Sequence, residues 1–198
     1  MPAAAVDGRS ARIGDGESVY ADGVVSHVNA LATALGVVIG QKAADAASMM
    51  LAAPPGRPSP DPIVDRRQRI VLETADGRVV LVDSMLFAGP HNGDDVMCAG
   101  SHGGRVNMAR ALEIRPRGAL FSDGGRAREG SGVNGLPLLD AADVAAATVD
   151  AMRARIGDPA STWSHGVISA VNDTARRAGV AVGQPASTAA RAMLARKR

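Results

Sequence analysis

Three short runs hold most of the side chains that could do chemistry: Gly100-Ser-His-Gly-Gly104, Ser122-Asp-Gly-Gly125 and the segment from Asp150 to Arg155. In the first, His102 can exchange a proton near neutral pH and Ser101 can donate to a carboxylate or phosphate. The Gly103 and Gly104 amides can approach an anion closely because no Cβ stands in the way. In the second, Asp123 can orient a histidine or hold a substrate amine, and Gly124 opens the backbone beside it. In the third, Asp150 adds a carboxylate, and Arg155 can clamp an anionic group.

These runs match no standard cofactor loop. The first lacks the Gly-Lys-Ser/Thr of a P-loop and the third glycine of a dinucleotide fingerprint, and it is not the Gly-x-Ser-x-Gly elbow. Ser101 and His102 are neighbours whose side chains diverge, so a Ser101–His102–Asp123 triad is not expected. The histidines are His27, His91, His102 and His165, with no His-x-x-x-His and no second cysteine. The most a metal could find is a mixed set of His91, Asp94 or Asp95, His102 and Asp123. No metal is assigned, and no cofactor is named. Cys98 lies in an apolar strand pattern and reads as a small core residue.

The elements that would carry these runs alternate in type. Residues 69–74 and 78–85 flank Ala75-Asp76-Gly77 and predict a β-hairpin. Strands follow at 95–99, 118–121 and 144–149. Helices lie between them at 105–114, with Val106, Ala109 and Leu112 as the apolar stripe, and at 136–142. This alternation predicts an α/β fold: a small, mostly parallel three-layer sheet with a β-hairpin extension. Each polar run then follows one parallel strand, and ligands of such sheets bind beyond the strands' carboxyl ends. The Gly-rich loop 124–134 reads as a lid over that crevice or as a plain connection.

A repeat frames the whole chain. Ala-Arg-Ile-Gly-Asp occurs at 11–15 and again at 154–158. The match runs without a gap from Ala3, Ala4, Val6 and Asp7 (Ala146, Ala147, Val149 and Asp150) to Met50-Leu51-Ala52 (Met193-Leu194-Ala195). Each copy reads as strand, turn, helix, helix, with the first helix over 22–35 and 165–178. Ser26/Ser169 and Asn29/Asn172 then lie on that helix and suggest contact with another helix. Arg12/Asp15 and Arg155/Asp158 read as capping aspartates with arginines paired across a pseudo-twofold.

The expected organisation is a half-repeat at 1–52, a Pro-rich linker at 53–68 and an α/β domain at 69–198 ending in the second copy. A lone strand and two helices cannot bury their apolar faces, so at least a homodimer is expected.

Composition narrows the function classes. The net charge is +2, with two lysines and no basic block among aromatics, so nucleic acid is not expected as a partner. No apolar run is long enough to span a membrane, and the N-terminus does not read as a signal peptide. A single cysteine suits a reducing cytoplasm. The leading expectation is a cytoplasmic enzyme acting on a small polar or anionic metabolite by hydrolysis or another acid/base step at a carbonyl centre. The alternative is a non-catalytic ligand-binding or assembly protein, as a subunit of a larger complex.

Overall fold

The structure is a computed structural model that describes residues 1–57 and 65–197, so part of the linker expected at 53–68 lies outside the described residues. Two compact units emerge. Unit 1 joins Met1–Ile63 to Arg126–Gly130, and unit 2 joins Val64–Gly125 to Ser131–Arg198.

Unit 1 runs β1 (Ala4–Val6), α1 (Gly16–Asp22), β2 (Val25–Val28), α2 (Ala30–Ala34) and α3 (Ala43–Met50). β1 and β2 pair antiparallel in a two-stranded sheet. The core is small: Val25, Ala32, Val37 and Ala46.

The helix expected at 22–35 is not there. Gly23 ends α1, and a Cβ on it would lie 2.2 Å from the Val19 carbonyl oxygen. The β-branched Val24, Val25 and Val28 then extend as a strand, and Asn29 starts a new helix as N-cap. Its Oδ1 accepts from the Ala32 amide at 2.9 Å and the Ala3 amide at 3.1 Å, so one side chain caps α2 and ties down β1. Ser26 lies on this strand and not on a helix, and its hydroxyl donates to the Ala5 carbonyl across the sheet.

Unit 2 is a mixed α/β structure on a six-stranded sheet. Its strands are β3 (Arg69–Thr74), β4 (Gly77–Val82), β5 (Val96–His102), β6 (Gly118–Ser122), β7 (Ala145–Val149) and β8 (Ile168–Val171), adjacent in that order. β4 to β7 are parallel, and β3 and β8 close the two edges antiparallel. The hairpin extension and the mostly parallel sheet are thus both present. Its helices are α4 (Met108–Ile114), α5 (Leu136–Ala141), α6 (Pro159–His165), α7 (Asp173–Arg177) and α8 (Ala186–Leu194).

Alternation of side chains along the strands divides the core in two. Val79, Leu81, Val96, Cys98, Leu120, Ala147 and Val149 face a layer that includes Ala189, Ala190 and Met193 of α8. Val80, Val82, Met97, Ala99, Ala119, Phe121 and Ala146 face Met108, Ala111 and Leu139 of α4 and α5. The sheet is therefore the middle of three layers. The small residues of β7 let α7 and β8 lie close against it.

Two further details differ from expectation. The stripe of α4 is Met108 and Ala111, whereas Val106 and Ala109 are exposed. A 3-10 turn at Arg105–Asn107 delays the α-helix and shifts its phase. The stretch 165–178 is not one helix but the end of α6, then β8, then α7, for the same reasons as at 22–35. Gly166 breaks α6, with a Cβ placed 2.2 Å from the Thr162 oxygen. Asn172 then caps α7 through the Ala175 amide at 2.8 Å. It also bonds the Ala146 amide and the Val144 carbonyl, pinning β7 from inside the protein. Ser169 lies on β8 and donates to the Thr148 carbonyl.

Candidate functional site

Strand register places three of the polar runs on one edge of the sheet. His102 lies opposite Ser122, and Ser122 opposite Val149, so His102, Asp123 and Asp150 all stand at carboxyl ends of parallel strands. β5 reaches that edge through a bulge. Cys98 faces Leu120 and His102 faces Ser122, so Ala99, Gly100 and Ser101 span a stretch where β6 has only Phe121. Gly100 is required there, because a Cβ would lie 2.7 Å from the backbone carbon of Gly157. The Gly157 amide donates to the Gly100 carbonyl at 2.7 Å.

The amides of the Ser-His-Gly-Gly run turn inward. Gly103 N–H donates to the Ser122 carbonyl at 2.8 Å, and Gly104 N–H donates to His102 Nδ1 at 3.1 Å. His102 Nδ1 thus acts as an acceptor, which leaves the proton of the neutral ring on Nε2. The ring is half-buried, and that burial lowers its pKa from the ordinary histidine value. The Ser101 hydroxyl is buried and has no hydrogen-bond partner among the described residues. Such an orphan is uncommon in folded proteins.

Asp123 is buried, and its Oδ1 accepts from the Gly125 amide at 2.9 Å and the Ala151 amide at 3.0 Å. It therefore ties the loop after β6 to the loop after β7. Among the described residues, no hydrogen bond or ion pair joins Asp123 to His102. Gly124 N–H donates to the Ser122 hydroxyl at 3.2 Å. Asp150 accepts from the Met152 amide at 2.8 Å, an Asx turn that starts the following loop. Cys98 is fully buried, and burial pushes its thiol up to about 12, so it stays protonated at neutral pH.

Arg155 belongs to a different concavity. Its amide donates to the Ser161 hydroxyl at 3.0 Å, while Asp158 caps α6 through the Ser161 amide at 2.9 Å. Arg153, Arg155, Asp158, Ser161, Ser164 and His165 are among the residues that line a hollow of about 470 Å³. Neither His102 nor Asp123 lines it. The sequence motifs therefore resolve into a sheet-edge group (Ser101, His102, Asp123, Asp150) and a basic hollow around Arg155. Sequence reasoning did not include Arg153 or His165 in the site. Their signal was available in the repeat, since they replace Ser10 and Asp22 of the first copy.

Of the acidic groups considered for a metal, Asp95 is spoken for. It takes a bidentate ion pair from Arg78 with both contacts at 2.8 Å and a further bond from Asn92. Among the described residues no cluster of three or more His, Cys, Asp or Glu could hold a metal ion. No helix among them is long and apolar enough to cross a membrane. Compared with known proteins, the chain matches no family model, no curated protein and no solved structure.

Proposed function

We propose that this chain is a non-catalytic assembly protein, one subunit of a larger complex, whose half-repeat at 1–52 is completed by a partner polypeptide. One observation carries the reading. Ala4, Val6, Val19, Tyr20, Ala47 and Met50 line an open apolar hollow of about 310 Å³ in unit 1. Their counterparts in the second copy, Ala147, Val149, Thr162, Trp163, Ala190 and Met193, lie in or against the core of unit 2 beneath strands β4 to β6. The half-repeat is then a duplicated half-domain that has the strand and helices of this architecture but not the parallel strands that cover them. Burial of such a face is the main driving force for association.

The occupant that fits is a parallel sheet. Its edge strand would begin with small residues as β6 does at Gly118 and Ala119, placed along the free edge of β1. Branched side chains in the manner of Leu81 and Leu120 would fill the hollow. A second copy of this chain is a poorer source. Its own β4 to β6 already cover its own β7, α6 and α8, so lending them would expose as much as it buried. Without the partner, the purified chain is expected to self-associate through this face and to bind the dye ANS at micromolar concentration. Tyr20→Ser combined with Leu51→Ser should abolish both without lowering Tm. A monodisperse monomer that does not bind ANS would remove the basis of the proposal. The lone buried thiol of Cys98 suits a reducing, cytoplasmic compartment.

A second reading keeps the sheet-edge group as the site of an enzyme acting on a small polar or anionic metabolite. It is favoured by the orphan Ser101 hydroxyl beside a histidine of depressed pKa. A thermal-shift panel of phosphate and small dicarboxylates on wild type and on His102→Ala tests it. A ligand-specific rise that a folded His102→Ala lacks would support it, and no rise with any ligand would sink it.

A further inference from the structure

Resting on the assembly reading, we infer that the basic hollow of residues 151–165 is the seat of an acidic loop from a partner polypeptide. The inference comes from the counterpart hollow in unit 1, which is already filled. There the loop Arg126–Gly130 lies against residues 8–22. The Arg128 amide donates to the Gly8 carbonyl at 2.7 Å, and its guanidinium reaches the Asp22 carboxylate at 2.9 Å and the Ser10 carbonyl at 3.3 Å. The Glu129 carboxylate receives Arg12 at 3.3 Å. Arg126, Ala127 and Glu129 all have positive φ, a costly backbone that persists only where contacts over-determine it.

The scaffold beneath the loop recurs in the second copy. Asp15 and Asp158 accept from the Ser18 and Ser161 amides at 3.0 and 2.9 Å. The Ser18 and Ser161 hydroxyls accept from the Arg12 and Arg155 amides at 3.1 and 3.0 Å. The turn is thus held in the same way, yet in unit 2 it borders an open hollow. Among the described residues, neither Arg153, Arg155 nor His165 makes an ion pair.

Charge identifies the occupant. In unit 1 an Arg-Glu pair meets Asp22 and Arg12, so each charge finds its opposite. In unit 2, Arg155 preserves the seat for Glu129. The position that received Arg128 now presents His165 in place of Asp22 and Arg153 in place of Ser10. A loop that fits must carry carboxylates at both positions. A second copy's loop is Arg-Glu and is already engaged on its own unit 1, so the acidic loop comes from a different chain.

Two peptides test this on the full-length protein, one copying residues 124–132 and one copying them with Arg128→Glu. Binding is followed by backbone NMR shifts. The Arg128→Glu peptide should saturate shifts confined to residues 151–165 and bind about fivefold tighter than the native sequence, the scale of one exposed charge contact. Arg155→Ala, an exposed position, should lose that binding with Tm unchanged. Arg153→Ser with His165→Asp should reverse the preference toward the native peptide. Equal binding of both peptides, no shifts at all, or shifts that inorganic phosphate reproduces at the same concentration would each overturn the inference. Failure of the assembly reading shows up separately. In that case the acidic peptide binds, but the chain is monomeric and does not bind ANS.

Discussion

Residues 4–50 and 145–194 run through the same elements in the same order, strand, helix, strand, helix, helix, but they do not enclose the same amount of apolar surface. Leu51 is 85% exposed and its counterpart Leu194 2%; Tyr20 is 58% exposed, and Trp163 packs against the core. Local structure is therefore the same with and without a covering sheet. Glycine breaks, asparagine caps and aspartate caps specify the elements. The parallel strands decide whether the same side chains become a core. Local signals write this fold, and tertiary burial stabilises only one rendering of it.

The comparison can be broken most forcefully in the cores. Met193→Ala should cost about 2–5 kcal/mol in denaturant unfolding, the range for emptying a buried methionine site, whereas Met50→Ala should cost less than about 1 kcal/mol. Equal losses would mean that unit 1 is as well covered as unit 2.

The asparagines sharpen the contrast. Asn172→Ala removes a buried side chain bonded to Ala146, Val144 and Ala175, and should cost about 2–3 kcal/mol. Asn29→Ala removes the equivalent bonds, two of them exposed and one part-buried, and should cost about 1 kcal/mol. A cost at Asn29 as large as at Asn172 would show that capping geometry, not burial, sets these values.

The smallest effects are expected in pH dependence. His102 has a lowered folded pKa because it is half-buried, so the unfolded chain binds its proton first. Its contribution to stability is complete above the unfolded value of about 6.5 and declines as pH falls from there toward the folded value. His102→Gln should flatten that part of the stability–pH curve for unit 2. In unit 1, the Ser18 amide and then Arg12 hold Asp15 below the usual carboxylate range. Its contribution is present above about pH 4 and is lost as pH falls through the folded value. Asp15→Asn should therefore make unit 1 less sensitive to acid, as read by circular dichroism during acid titration.

Much of unit 2 was legible because its signals are local. The Ala75-Asp76-Gly77 turn and the strands expected at 95–99, 118–121 and 144–149 could be read from pattern, but β5 runs on to His102 through residues that read as a glycine-rich loop. β2 and β8 were not, since Val24, Val25, Val28, Leu31, Ala32 and Leu35 satisfy a helical stripe as well as a strand followed by a helix. Gly23 and Gly166 as helix breaks, with Asn29 and Asn172 as caps, resolve them, and a glycine or asparagine inside a periodic stretch does not announce itself. The sheet-edge alignment of His102, Asp123 and Asp150 follows from strand order and was legible. The attachment of Asp123 was not, because the Ala151 amide it binds lies 28 residues away and the bond depends on how the two loops meet.

Unit 1 is not continuous in the chain. Its last contributor, Arg126–Gly130, is made only after positions 64–125 have been synthesised. At elongation speeds of roughly 5–20 residues per second, the segment 1–57 waits several seconds with Arg12 and Asp22 lacking their partners on that loop. The order of synthesis thus leaves the turn at residues 8–22 without its covering loop until position 130 has been made.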